Sequence, residues 1–269
     1  MPVAKVNGIN INYRVQGKGE PLVLISGYSS DQSGWIFQTG AFKKYYLVIT
    51  FDNRGVGKTD KPSGAYSMKM MADDTVGLMN HLGIKKAHIL GISSGGLVAQ
   101  ALAINYPERI NKLVLASTDA GGDESSGISP EWLKALGLRE DCTDDDVRSI
   151  PILKIGDTVY PLAFNRPLFR IIFPLLAKIK ARLNGTIGLH GQWEAFVGHN
   201  TLNNLPAVKV PTLVITGTKD RAIKPSSSDV IAKLIPNAKL VKVEGGSHAL
   251  NIEMRSRFNK EVLDFLKSE

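Results

Sequence analysis

The sequence predicts an α/β fold: a mostly parallel central sheet flanked by helices, with a helical cap inserted before the last two strands. Three observations carry this. Short β-type runs alternate with helical stretches along most of the chain, the signature of a parallel sheet built from strand–helix–strand units. The chain opens on two β-type runs joined by Asn7-Gly8, a hairpin signal that places an antiparallel pair at the start. The alternation then stops over residues 121–205, where Pro130, Pro151, Pro161, Pro167 and Pro174 separate short helical pieces rich in Leu, Ile and Phe. A length of 269 residues is ordinary for one large α/β unit.

Strands are expected at residues 3–6 and 9–15, on either side of the Asn7-Gly8 turn. Buried apolar runs place further strands at 22–25, 46–51, 87–90, 112–116, 212–216 and 239–243. Helices fall between them. Thr75, Leu78, Met79 and Leu82 recur at helical spacing, and Gly83 supplies a stop. Residues 97–106 read as helix until Pro107 limits them. Phe258, Val262, Phe265 and Leu266 mark one face of a C-terminal helix. The expected division is a core of residues 1–120 and 206–269 with a helical cap of residues 121–205. The competing reading of the middle stretch is one more helical layer of the core.

A content of 43% hydrophobic and 22% charged residues excludes disordered and fibrous classes. The single cysteine, Cys142, cannot form an intramolecular disulfide, and its acidic surroundings at residues 140–146 disfavour a thiolate. The N-terminal MPVAKVNGININYRVQG lacks the charged start, apolar run and small-residue cleavage site of a secretory signal. No run approaches the roughly 20 apolar residues of a bilayer span. A cytoplasmic protein without stable membrane insertion is therefore expected. The net charge of +8 is scattered and no nucleic-acid-binding motif accompanies it, so a solvated surface and no nucleic-acid partner are expected. Residues 164–182 are both apolar and basic, which suits a membrane surface or an anionic substrate as well as the packing of the cap itself.

The sharpest chemical signal is LGISSGG at residues 90–96, which contains G-x-S-x-G as Gly91-Ile92-Ser93-Ser94-Gly95. It follows an apolar strand and opens a helix, the context in which a serine on a sharp turn is exposed above a sheet. The glycines remove Cβ atoms that would clash at such a turn. The helix that follows offers free N–H groups and its positive dipole end to an oxyanion. Serine is a poor nucleophile at neutral pH and needs a base. Histidine suits that role, and a carboxylate on its other ring nitrogen fixes the tautomer.

With this motif the chain resembles the α/β-hydrolase superfamily, in its capped branch of esterases, lactonases and C–C bond hydrolases. FDNRGVGKTD at residues 51–60 is similar to the family's D-x-R-G-x-G-x-S loop, with Thr59 where serine is usual. The resemblance makes Asp52 and Arg54 structural. PTLVITGTKD at residues 211–220 matches the segment that ends on the family's acid, here Asp220. VEGGSHALNIE at residues 243–253 matches the histidine loop, here His248. The order Ser93, Asp220, His248 is the one this fold uses. Asp119, beyond the strand ending near Ala116, is the alternative acid. His88 reads as a core residue, and His190 and His199 as structural or cavity-facing. No histidine cluster has metal-ligand spacing, and no dinucleotide fingerprint follows the first strand, so no metal and no cofactor are expected.

The resemblance places the oxyanion hole in the backbone N–H groups of Tyr28 and Ser94. Where the family shows His-Gly, this chain has Ser26-Gly27, and Ser26 is expected to tie the loop down in place of the histidine. Tyr28, Trp132 and Trp193 are candidates for an apolar substrate pocket. The function implied is a serine hydrolase, a carboxylesterase acting on a small-molecule ester. Alternatives with the same triad are a lactonase, a C–C bond hydrolase, and a cofactor-free perhydrolase or haloperoxidase. A non-catalytic binding protein on this scaffold is disfavoured by an intact triad, and a dehalogenase or epoxide hydrolase by serine at position 93.

Overall fold

A computed structural model describes residues 2–122 and 127–268, without the side chains of 180–184. Eight strands form one sheet: β1 (Val3–Val6), β2 (Ile9–Gln16), β3 (Pro21–Ile25), β4 (Leu47–Phe51), β5 (Ala87–Ile92), β6 (Ile110–Ala116), β7 (Thr212–Gly217) and β8 (Lys239–Val243). Their spatial order is β1-β2-β4-β3-β5-β6-β7-β8. The first two joints, β1 with β2 and β2 with β4, are antiparallel; every joint from β4 to β8 is parallel. Asn7 and Gly8 turn the hairpin with φ of 48° and 80°, the paired positive values of a tight right-twisted turn.

The central strands are buried almost end to end, because helices cover both faces. On one face lie α2 (Met68–His81), α3 (Ser94–Asn105) and α9 (Pro225–Leu234), which bring Met71, Leu78, Leu97, Leu102 and Ile231 onto Val23, Ile89 and Val214. On the other lie α1 (Ile36–Phe42) and α11 (Arg255–Lys267), where Phe42, Phe258 and Val262 meet Leu24, Leu90 and Ile215. The edge strand β8 carries Lys239 and Lys242 outward, charges that blunt an open sheet edge. A short α10 (Leu250–Glu253) leads into α11.

Between β6 and β7 the chain forms the helical cap: α4 (Pro130–Leu136), α5 (Asp144–Arg148), α6 (Ile152–Ala163), α7 (Pro167–Asn184) and α8 (Ile187–Val197). These helices hold their own apolar cluster of Trp132, Leu133, Leu136, Val147, Ile155 and Trp193. Isolated bridges, Gly121 with Asn200 and Ile128 with Ile223, close the base of the insertion. Residues 123–126 of the expected cap, and the side chains of Lys180 and Arg182, lie outside the described residues.

Two prolines depart from the sequence reading. Pro161 and Pro174 sit inside α6 and α7 rather than between helices. Each removes one backbone donor, a defect that tertiary packing on either side of it outweighs. The strand positions hold to within a residue or two at each end. Helix α3 begins at Ser94 rather than residue 97, because it starts directly on the turn that carries Ser93.

Candidate active site

Ser93 stands between β5 and α3 with φ 54° and ψ −129°, a conformation that costs a residue with a Cβ about 1–3 kcal/mol. Its backbone is held from three sides. Its N–H donates to Ala116 O at 2.9 Å, and its carbonyl accepts from Gly96 N and Thr118 Oγ1, each at 2.8 Å. The surrounding glycines are dictated by this geometry. A Cβ on Gly91 would run into the Gly95 carbonyl, and one on Gly95 into the carbonyls of Ile25 and Ser26. The chain therefore folds into this elbow because backbone must touch backbone there.

Asp220 follows β7 and His248 follows β8, so both stand with Ser93 at the carboxyl ends of parallel strands, where open α/β sheets bind ligands. The two loops are laced together by Lys219 N to Gly246 O at 2.8 Å and Gly245 N to Thr218 Oγ1 at 2.9 Å. The Asp220 side chain is fully buried. Its Oδ1 accepts the amides of Ala222 and Ile223, both at 2.9 Å, and its Oδ2 meets Nδ1 of His248 at 2.8 Å. A carboxylate only accepts, so the ring proton belongs on Nδ1 and Nε2 is left as an acceptor. The His248 ring is nearly covered, which shields this pair from water.

Asp119, the alternative acid, is buried beyond β6 and its carboxylate accepts the Gly121 amide at 2.8 Å. Burial pushes its carboxyl up to about 6, against the pull of that amide and of the His248 charge. It is a neighbour of the histidine, while the direct bond to the ring belongs to Asp220.

The loop after β3 lies against the serine. A Cβ on Gly27 would stand 3.1 Å from Ser93 Cβ and 3.6 Å from its Oγ, so the Gly27 backbone runs beside the serine side chain. The amide of Ser94 opens α3 on the other side, among the helix's first N–H groups. The Ser26 hydroxyl reaches Asp31 O at 3.4 Å, and Asn53 Nδ2 holds the Ser26 carbonyl at 2.9 Å. Gln192, which sequence reasoning missed, clamps this region from the cap. Its Oε1 accepts Ser29 N at 3.0 Å and its Nε2 donates to Arg54 O at 2.8 Å. A lone glutamine within a helix carries no motif, so no signal in the sequence marked it.

Asp52 is occupied by Asn12 Nδ2, Gln32 N and Lys58 N at 2.7–2.9 Å, and Arg54 pairs with the buried Asp74. Both hold loops. A cavity of about 190 Å³ lies between the cap and the loop after β3, lined by Tyr28, Val56, Ile152, Tyr160, Pro174 and Leu189 among others. Tyr28 is the one candidate site residue on its wall. Among the described residues its buried hydroxyl has no hydrogen-bond partner, and burial pushes the phenol upward. Trp132 and Trp193 take a different place. Both are buried in the cap cluster, 6.1 Å apart edge to face, with their N–H groups spent on Thr158 Oγ1 and Val147 O. They stand behind the cavity wall, packed against Tyr28 and Ile152, and the Tyr28 ring meets Trp193 at 5.8 Å. Among the described residues no group of three or more His, Cys, Asp or Glu could hold a metal ion.

A serine on a strand-to-helix elbow shares a mostly parallel sheet with a bonded histidine and aspartate, and comparison with known proteins gives the family. The chain belongs to the α/β-hydrolase fold family, whose profile matches residues 20–160 and 161–254, and it is a hydrolase. The 3-oxoadipate enol-lactonase 2 of Acinetobacter baylyi is 27% identical over 263 residues, covering 96% of this chain and 94% of the enzyme. The crystal structure of an enol-lactonase from Burkholderia xenovorans LB400 superposes with a TM-score of 0.85 at 30% identity, over 99% of this chain and 100% of that one. A thermophilic esterase from Thermogutta terrifontis superposes with a TM-score of 0.81 at 26% identity, over 99% and 98%.

Proposed function

We propose that the chain is a serine hydrolase that cleaves small carboxylic esters through an acyl-enzyme on Ser93. The observation that carries this reading is the Asp220–His248 hydrogen bond at 2.8 Å, on the same sheet edge as a serine held at φ 54°. Ser93 Oγ attacks the ester carbonyl carbon while His248 Nε2 takes its proton. Asp220 stabilises the imidazolium that results. The negative charge on the carbonyl oxygen is met by the backbone N–H groups of Tyr28 and Ser94. His248 then protonates the departing alcohol, and water repeats the sequence on the acyl group to release the acid. No step requires a cofactor.

A second reading, hydrolysis of a lactone, uses the same steps on a cyclic ester. The similarity to two enol-lactonases favours giving it weight. The test is turnover of p-nitrophenyl esters from acetate to palmitate beside a set of lactones. Cleavage of short or medium esters supports the first reading. Cleavage of lactones alone moves the assignment to the second. Silence on both contradicts the proposal.

A further inference from the structure

Helix α7 carries two apolar faces, and only one of them is used inside the molecule. Phe169 and Phe173 point inward, where they meet Phe164 at ring distances of 5.9 and 4.4 Å, and Pro174 and Ala177 line the cavity. The opposite side presents Leu168, Ile171, Ile172, Leu175, Leu176 and Ile179, each between 40% and 69% exposed. Their spacing, three and four residues apart throughout, gathers them into one stripe about 17 Å long. Leu153 of α6 and Ile187 of α8 are similarly exposed, at 58% and 60%. Scattered exposed leucines mean nothing, but an unbroken stripe of six on one helix is what a partner or a lipid surface covers.

The net charge of the segment that carries the stripe selects between these. Residues 151–190 contain six lysines and arginines and one acidic residue, Asp157, which is paired with Lys178 at 3.2 Å. Helix α7 itself has no acidic residue. Two copies meeting through this face would bring two segments of like net charge together. An anionic bilayer surface supplies both the apolar layer and the opposite charge, the combination that holds an amphipathic helix in the interface plane. No helix among the described residues is long and apolar enough to cross a membrane, so contact is at the surface.

We propose that the outer face of α7 docks the protein on anionic phospholipid surfaces, with the cavity wall on the helix's inner side. This goes beyond the hydrolase reading and does not depend on it. The test is co-sedimentation with vesicles of phosphatidylcholine alone or mixed with phosphatidylglycerol, at low and high salt, for wild type and for the double variant Ile171→Glu/Leu175→Glu. Expected are binding to the anionic vesicles, weakening with salt, and a loss of about tenfold or more in the variant. An unchanged circular-dichroism melt of the variant shows that its fold is intact, since both side chains are exposed. Ser93→Ala protein should bind as wild type does, which separates this result from any failure of hydrolysis. Three results would overturn the proposal: no binding to anionic vesicles, binding that survives the double variant, or a dimer in analytical ultracentrifugation that the variant dissolves, since a second copy would then cover the face.

Discussion

Glu253 and Asn165 tie the histidine loop to the cap in both directions. The Glu253 carboxylate accepts the backbone amides of Asn165 at 2.9 Å and Arg166 at 2.8 Å, while Asn165 Nδ2 donates to Gly245 O at 3.2 Å. The same carboxylate takes the hydroxyl of Ser247, the residue next to His248, at 2.5 Å. Replacing Glu253 with Ala strands three donors at once. Stability is expected to fall by about 2–4 kcal/mol in urea unfolding, with a lower kcat as the His248 loop loosens. Glu253→Gln, which keeps an acceptor oxygen, should recover part of both. An alanine variant with wild-type stability and kcat would remove Glu253 from this role.

Asp220 and Asp119 compete for the part of the acid. The ring bond and the two amides are on Asp220, which the proposed mechanism therefore takes as the acid. Asp220→Asn should lower kcat by about 10³–10⁴, because an amide no longer fixes the tautomer or stabilises the imidazolium. Asp119→Asn keeps the oxygen that accepts the Gly121 amide and should leave kcat near wild type. The reverse outcome in ester or lactone turnover would give the acid's role to Asp119.

Two buried groups set opposing pH slopes on stability. Asp119, raised by burial from 3.8 to about 6, holds its proton more tightly folded than unfolded. Its contribution is whole below about pH 4 and is lost as pH rises through 6. His199, lowered by burial from 6.5 to about 4, runs the other way: its contribution is whole above about pH 6.5 and is lost as pH falls through 4. Across pH 4 to 6.5, Asp119→Asn should make stability rise more steeply with pH, and His199→Gln less steeply, each by about 2–3 kcal/mol. Urea unfolding at a series of pH values reads this; two variants with parallel profiles would contradict it.

The sheet was legible in the sequence because apolar runs between turns leave few alternatives. Asn7-Gly8 even marked the hairpin between β1 and β2. The placement of Ser93, Asp220 and His248 at strand ends was legible because each sits in a short segment whose glycines and strand are local. What escaped depends on contacts between distant segments. Trp132 and Trp193 could face a ligand or each other, and the packing of the cap helices, with the indoles bonded to Thr158 of α6 and Val147 of α5, turns them inward. Gln192 and Glu253 act across 138 and 88 residues of chain, and nothing near either of them shows it. Pro161 and Pro174 read as helix ends because a proline's local cost is visible while the tertiary packing that offsets it is not.

The central claim is that Ser93 is an activated nucleophile. Intact-mass analysis after incubation with a fluorophosphonate tests it directly, because the reagent needs the serine and its base but no knowledge of the substrate. An activated Ser93 gives a single adduct that maps to the peptide containing Ser93 and is absent from Ser93→Ala protein. An unmodified wild type, or an adduct that persists in the alanine variant, would contradict it.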